Sequence, residues 1–482
     1  MMKKISIIYP PISRKERYSS DIGNSGGKQI PLGIYYLASF MRSKNYAVQV
    51  IDAEAQSMTT EEIIGQIKEF APDYVGISST TVAFHRALEM ANAIKNATIL
   101  APVILGGPHV TSNYKHAMSY SVFDYAVLRE GEVSLWELCE ALSNNTALND
   151  VDGIVYRSSE GEDGLIKTKP RKYIENLESL PFPAYDLIPD INVYNPPPSN
   201  YKELPVISVI TSRGCPGQCT FCDKNVFGNL YRRRSAENVF EEIKMLREKY
   251  GAREISFVDD TFLIDRQRIR TLFSLLREAN IFVHWTCMGR INDVDREYLQ
   301  FLRDNGCWHI SFGIESGDEK ILKLIRKNLS LDKVRQVVGW CRELSIKTKG
   351  FFIIGHPAET EETINKTINF ALSLKLDDAL STINTPIPGS PQHCQISQYG
   401  TLDETDWSKY NYWRPVFVPN GLSQELLLKK HKEFYRRFYL RPPILFRYFL
   451  SFFGRGGLRR LFAIIKTSLF LFKKPKHSGI TD

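Results

Sequence analysis

Along the first 384 residues, short runs of β-branched and aromatic residues alternate with amphipathic helical patterns, in two series divided by a proline-rich break. This alternation limits the fold more than any other feature. A strand–helix–strand crossover joins parallel strands and places helices on the sheet faces. In the first series the strands are expected at Ile5–Tyr9, Val48–Ile51, Tyr74–Ser78, Val103–Leu105 and Tyr125–Leu128, with helices near Leu32–Lys44, Glu61–Phe70, Ala83–Lys95 and Val133–Leu142 and a shorter one after His109. The expectation is a doubly wound α/β domain over 1–145. Ligands of such sheets bind at the carboxyl ends of the strands. Those ends carry Pro10-Pro11, Ser78-Ser79-Thr80-Thr81, Gly106-Gly107-Pro108-His109 and Glu130-Gly131-Glu132.

Residues 146–200 read as a linker: a hairpin around Glu160–Gly164, then Leu180-Pro-Phe-Pro183 and Pro196-Pro-Pro198. The second series, over 201–400, has strands at Val206–Ile210, Glu254–Val258, Val283–Met288, Trp308–Gly313, Gly350–Ile354 and Ala379–Asn384, with helical patterns such as Asn238–Tyr250, Arg266–Ala279 and Asp332–Leu344. Six units suit a partial (β/α)6 barrel, whose chemistry gathers at the carboxyl ends of the strands.

At the end of the first of those strands stands Thr211-Ser-Arg-Gly-Cys-Pro-Gly-Gln-Cys-Thr-Phe-Cys222, which spaces Cys215, Cys219 and Cys222 as Cys-x3-Cys-x2-Cys. Thiolates are the usual ligands of iron–sulfur clusters. Three of them hold three irons of a cubane and leave the fourth open for reaction. Zinc sites generally want four ligands, often from paired motifs, and no second Cys-x2-Cys is present. A disulfide framework of a secreted protein fits poorly, because Met-Met-Lys-Lys-Ile-Ser-Ile-Ile reads as a first strand rather than a leader. Cys139, Cys287, Cys307, Cys341 and Cys394 are scattered and read as small buried hydrophobes. His284, His309 and His356 read as structural or substrate-facing rather than as metal ligands.

This spacing, with Phe221 before the last cysteine, resembles the signature of radical S-adenosylmethionine (radical SAM) enzymes. The resemblance implies a 4Fe-4S cluster whose open iron chelates the amine and carboxylate of S-adenosylmethionine, whose cleavage gives a 5'-deoxyadenosyl radical. It extends to four strand-end motifs: Phe257-Val-Asp-Asp-Thr-Phe262, Met288-Gly-Arg290, Phe312-Gly-Ile-Glu-Ser-Gly317 and Phe351-Phe-Ile-Ile-Gly-His-Pro357. By resemblance, Phe221, Asp259, Asp260, Arg290, Glu315, Ser316, Gly355 and Pro357 contact S-adenosylmethionine. Taken singly, Asp-Asp-Thr-Phe also reads as a helix cap and Gly355-x-Pro357 as a plain turn.

An α/β domain ahead of such a barrel resembles the cobalamin-binding branch of the superfamily, with a flavodoxin-like domain. Pro31-Leu-Gly33, Leu105-Gly-Gly-Pro-His109 and Arg129-Glu-Gly-Glu132 carry that likeness. It implies cobalamin contacts from Ser79, Thr80, Gly106, Gly107, Glu130, Gly131 and Glu132. One departure matters: no Asp-x-His-x-x-Gly occurs in residues 1–150. Either cobalamin binds without a histidine ligand or the domain is degenerate, and the resemblance favours the former. Methylthiotransferases also place an α/β domain before the barrel, but they need three amino-terminal cysteines, and only Cys139 precedes residue 200. The implied activity is methylation of an unactivated carbon in a small-molecule or lipid substrate, using electrons from a flavodoxin or ferredoxin. Oxidative cyclisation or rearrangement without methyl transfer, as in the anaerobic porphyrin ring cyclases, is the alternative. A non-catalytic cobalamin or redox sensor is a third reading.

Charge locates a further feature. The net charge is +8, yet residues 429–476 alone hold 14 Lys and Arg against one acid, Glu433. Basicity belongs to the helical region 401–482, which gives no reason to expect nucleic-acid binding. Over 434–474 the apolar runs are too short to span a bilayer. Leu458, Leu461, Ile465, Leu469 and Phe472 share one helical face opposite Arg459, Arg460 and Lys466. Such a helix suits an anionic membrane interface or packs on the barrel with a solvated charged side. The expectation is a cytoplasmic enzyme with peripheral contact to the inner face of the membrane.

Overall fold

The computed structural model describes residues 2–22, 27–197, 200–442 and 444–446. Five parallel strands open the chain: β1 (Lys4–Tyr9), β2 (Ala47–Asp52), β3 (Tyr74–Ser78), β4 (Val103–Gly106) and β5 (Tyr125–Val127). They stand in the order β2-β1-β3-β4-β5, so the order reverses beside β1. Helices between them end on local signals. Thr59 and Glu62 form a reciprocal capping box at the start of helix Thr60–Phe70.

The hairpin placed in the linker is an edge of this same sheet. β6 (Ile154–Glu162) pairs antiparallel with β5, and β7 (Leu165–Lys167) pairs with β6, giving seven strands. Ile154 and Val155 explain the attachment: neighbours on opposite faces, both are fully buried.

The second sheet has six parallel strands, β8 (Val206–Val209), β11 (Glu254–Phe257), β12 (His284–Gly289), β13 (Cys307–Glu315), β14 (Lys347–Ile354) and β15 (Asp378–Ile383), each beside its neighbour in sequence. β8 and β15 do not pair, so the barrel is open on one side. Two short ribbons are added: β9 (Ser212–Arg213) with β10 (Arg232–Arg233), and β16 (Gly400–Leu402) with β17 (Phe417–Pro419). One contiguous apolar core runs from Ile5 of the first sheet and Tyr35 and Met41 of its helix Leu32–Ser43 to Ile207, Ile310 and Ile354 of the second sheet.

Helix Gln424–Tyr439 closes the described chain. Its Phe434 and Phe438 are buried in that core. Its polar groups meet the free edge of β15: Tyr435 Oη lies 3.2 Å from Ser381 N and 2.8 Å from Ser381 O, Tyr439 Oη 2.8 Å from Ala379 O, and His431 Nε2 2.9 Å from Ser381 O. The stretch beginning at Phe434 was expected at a membrane. From Phe434 to Tyr439 it packs on the barrel instead, its aromatic face matching the side of β15. The remainder of that expectation, from residue 447 to 474, lies outside the described residues. Among the described residues no helix is long and apolar enough to cross a membrane. Cys394 also departs from expectation: it is exposed on the turn His393–Gln398, whereas Cys139, Cys287, Cys307 and Cys341 are buried.

Candidate active site

The cysteine loop leaves β8 and is fastened at its root. Asp259 accepts hydrogen bonds from the Thr211 amide at 3.1 Å, the Thr211 hydroxyl at 2.7 Å and the Ser212 hydroxyl at 2.5 Å. Arg213 is buried and reaches Glu130 at 2.8 Å and Glu132 at 2.6 Å across the domain boundary. Glu130 also takes Arg232 at 2.9 Å and the Ile174 amide at 2.8 Å. Gly214 then turns with φ +87, where a Cβ would lie 2.2 Å from the Leu230 carbonyl oxygen. Only glycine fits that approach. Farther along, the Thr220 amide donates to Ile325 O at 3.0 Å, and Lys224 holds the Gly217 carbonyl.

Cys215, Cys219 and Cys222 are free, half-buried, and line one cavity of about 1770 Å³. Burial pushes the Cys222 thiol up to about 12 and raises Cys219 as well. Among the described residues no three His, Cys, Asp or Glu side chains form a preformed metal group. The donor set nevertheless fits an iron–sulfur cluster: three soft thiols on one loop, with Gly217 leaving space beside the Cys215 sulfur, where a Cβ would come to 3.3 Å. Ligation displaces the thiol protons.

Of the residues expected around S-adenosylmethionine, Phe221, Asp260, Arg290 and Glu315 line this cavity. Burial, then the neighbouring Asp259 charge, raises Asp260. Glu315 holds the left-handed φ of +69 and is gripped by Lys327 at 2.8 Å. A non-glycine residue stays in that region only where its surroundings fix it. Lys327 and Asn384 line the cavity too, and no pattern in the sequence singled them out. Asn384 is buried and its Nδ2 has no hydrogen-bond partner among the described residues, which suits a bound polar molecule.

The other expected residues stand behind the cavity wall. Asp259 anchors the loop root, as above. Ser316 is buried, 3.1 Å from the Thr367 hydroxyl, and accepts the Asp318 amide at 3.1 Å. Gly355, at φ +83, and Pro357 are buried at the end of β14. The amides of Gly355 and His356 both donate to Glu359.

Glu359 is fully buried, and burial raises its carboxyl to about 8. The folded value exceeds the unfolded one, so its contribution to stability is complete below about pH 4.5 and is lost as pH rises through 8. Glu359→Gln should therefore remove a slope of up to about 1.4 kcal/mol per pH unit over that window, measured as denaturation midpoint against pH.

On the first sheet, Thr80, Thr81 and Pro108 line the same cavity, and Thr80 Oγ1 is buried without a partner among the described residues. Ser79 and Gly106 lie just behind, joined by a 3.0 Å amide–carbonyl bond. Gly107, at φ +100, would set a Cβ 2.7 Å from Ser79 O, so the turn needs glycine. This close, small-residue rim suits a large planar cofactor. Glu130 and Glu132 have a different role from the expected one. Buried against Arg213 and Arg232, they tie the first domain to the cysteine loop, and Gly131 starts helix Gly131–Asn144 between them. His109 is buried, its Nδ1 3.3 Å from Thr81 Oγ1 and its Nε2 3.3 Å from His116 Nδ1, while the Trp407 indole donates to His116 at 3.0 Å.

A model of the radical SAM superfamily matches residues 209–371, and one of the B12-binding domain matches residues 18–138. Over 449 residues, 92% of this chain and 94% of the relative, the sequence is 34% identical to an uncharacterized methyltransferase of Pyrococcus horikoshii. The chain belongs to the B12-binding radical SAM proteins. This radical SAM protein is also 28% identical over 453 residues to the anaerobic magnesium-protoporphyrin IX monomethyl ester cyclase of Cereibacter sphaeroides, covering 91% of this chain and 72% of the cyclase. Its fold matches that of the radical S-adenosylmethionine methyltransferase TsrM from Kitasatospora setae, with a TM-score of 0.67 at 16% identity over 92% of this chain and 90% of TsrM. Its cofactors are those of the family: a 4Fe-4S cluster, S-adenosylmethionine and cobalamin.

Proposed function

We propose that this protein methylates an unactivated carbon of a small-molecule or lipid acceptor. The supporting observation is the single cavity. The three cysteines, Arg290 and Glu315 line it from the barrel, and Thr80, Thr81 and Pro108 line it from the first sheet. When bound, the cluster with S-adenosylmethionine supplies a carbon radical, and cobalamin supplies a methyl group. The chain's own work is placement. Cys215, Cys219 and Cys222 would hold the cluster. Asp260, Arg290 and the Glu315–Lys327 pair offer charges to the amino acid and ribose groups. Phe351, Ile353 and Trp413 keep the cavity wall apolar and limit water. The relationship to a named methyltransferase over nearly the whole chain supports methyl transfer, and the relationship to a cyclase keeps ring closure as the second reading.

The test is anaerobic reconstitution with iron, sulfide and hydroxocobalamin, followed by assay with methyl-labelled S-adenosylmethionine. About four irons to one cobalt, deoxyadenosine formation and a product heavier by one methylene would bear the reading out. Deoxyadenosine with an unlabelled product points to cyclisation or rearrangement. With dithionite supplied as reductant, cofactor binding with neither deoxyadenosine nor labelled product leaves the sensor.

His109 is committed to His116 and Thr81, and burial keeps it neutral, at about 3. His109 should therefore not be needed to hold cobalamin. His109→Ala should keep the wild-type cobalt content after reconstitution with hydroxocobalamin and desalting.

A further inference from the structure

Barrel interiors are commonly filled by branched apolar side chains, but the lower half of this bore is polar. In register across four strands lie Met288, Ser311, Lys349 and Asp378, with Thr286, His309 and Lys347 in the layer beneath. Ser311, Lys349, Asp378 and His309 line the same cavity as the cysteine loop and are at most 9% exposed. An ammonium has three N–H donors, and that of Lys349 meets Asp378 Oδ2 at 3.2 Å. Asp378 Oδ1 accepts from the Ala379 amide at 2.9 Å and from the Tyr439 hydroxyl, so its carboxylate has partners besides Lys349. His309 Nε2 is buried without a hydrogen-bond partner among the described residues. Leaving such an atom unmatched is costly, which favours a partner in the bore. Burial keeps the ring neutral, at about 3, with Lys349 adding to the effect.

Between this layer and the upper mouth the inward residues become mostly apolar, Phe351 with Leu380 and then Ile353, with Thr382 the one hydroxyl among these four. At the lower mouth Phe282, Leu440 and Leu445 line the cavity and stay exposed. From Lys349 to Ile353 a strand advances about 13 Å.

We propose that the lower bore binds the oxyanion end of an elongated apolar molecule, a carboxylate or phosphate on a hydrocarbon body, through Lys349 and His309. The Lys349 ammonium supplies charge, and the neutral imidazole donates its one N–H. Resting on the methyl-transfer reading, this molecule is the acceptor, its reactive carbon raised about 13 Å from the anion to the level of Glu315. The binding site itself does not depend on that reading.

The test is calorimetry on the full chain without S-adenosylmethionine, using dodecanoate, dodecyl phosphate, dodecylamine, dodecanol and acetate below micellar concentrations. At least one dodecyl anion should bind about tenfold or more tightly than dodecylamine, dodecanol and acetate. Which of the two anions wins identifies the head group. Lys349→Met should weaken that anion about tenfold. Because this change removes the cation beside Asp378, His309→Leu is the second variant: it should weaken the anion severalfold while leaving thermal stability unchanged or higher. Equal binding of amine and anion, no binding of any dodecyl probe, or wild-type affinity in both variants overturns the proposal. No product is measured, so failure of methyl transfer alone would leave the result standing.

Discussion

Cys222→Ser should fold normally, yet its iron after anaerobic reconstitution should fall from about four per chain toward zero, and deoxyadenosine formation should fall to background. Serine keeps the size of the side chain but not a soft sulfur, and the loop has only three cysteines to offer. Cys341→Ser is the control. Cys341 is fully buried on helix Leu331–Glu343, away from the loop. A hydroxyl there should cost about 1–3 kcal/mol of stability and leave iron content intact. Iron analysis beside a denaturation curve separates the two outcomes.

Glu130→Ala should lower stability by about 3–5 kcal/mol, because it leaves buried Arg232 without a carboxylate and Arg213 with Glu132 alone. Glu130 receives Arg213, Arg232 and the Ile174 amide, and the side chains of the three charged residues are at most 5% exposed. An exposed pair provides the contrast. Removing Asp186 from Arg42, both nearly half exposed, should cost less than about 1 kcal/mol. Arg213 stands two residues before Cys215, so Glu130→Ala should also lose iron on desalting more readily than wild type. Urea denaturation and iron retention are the measurements. A stable variant that kept its iron would mean that the ion cluster does not position the loop.

Both sheets were legible because β-branched runs and strand-end glycines are local signals. The same holds for the cysteine loop, whose chemistry is written in spacing alone. What escaped is what distance in sequence hides. Glu130 and Glu132 look at strand level like any polar pair beside a ligand, and their arginines lie more than 80 residues away. Lys327 meets Glu315 from beyond the short helix Glu319–Leu324, a contact that no periodicity announces. Ser316 follows Glu315 but lies just past the end of β13, where the chain turns at Glu315 and sets the serine hydroxyl on Thr367. Phe434 and Phe438 form the same amphipathic stripe whether a membrane or a barrel covers it, and only the position of β15 decides. The hairpin of β6 and β7 was read correctly in itself, but sequence did not say which sheet would take it.

The pairing of helix Gln424–Tyr439 with β15 has a wider consequence. An open barrel has two border strands, and an unsatisfied border recruits other strands. Here a helix stands in for the missing partner strand, its tyrosine hydroxyls and one imidazole reaching the amides and carbonyls of Ser381 and Ala379. Without that helix the protein would not merely be shorter. It would carry an adhesive edge, and its first failure would be self-association rather than loss of chemistry.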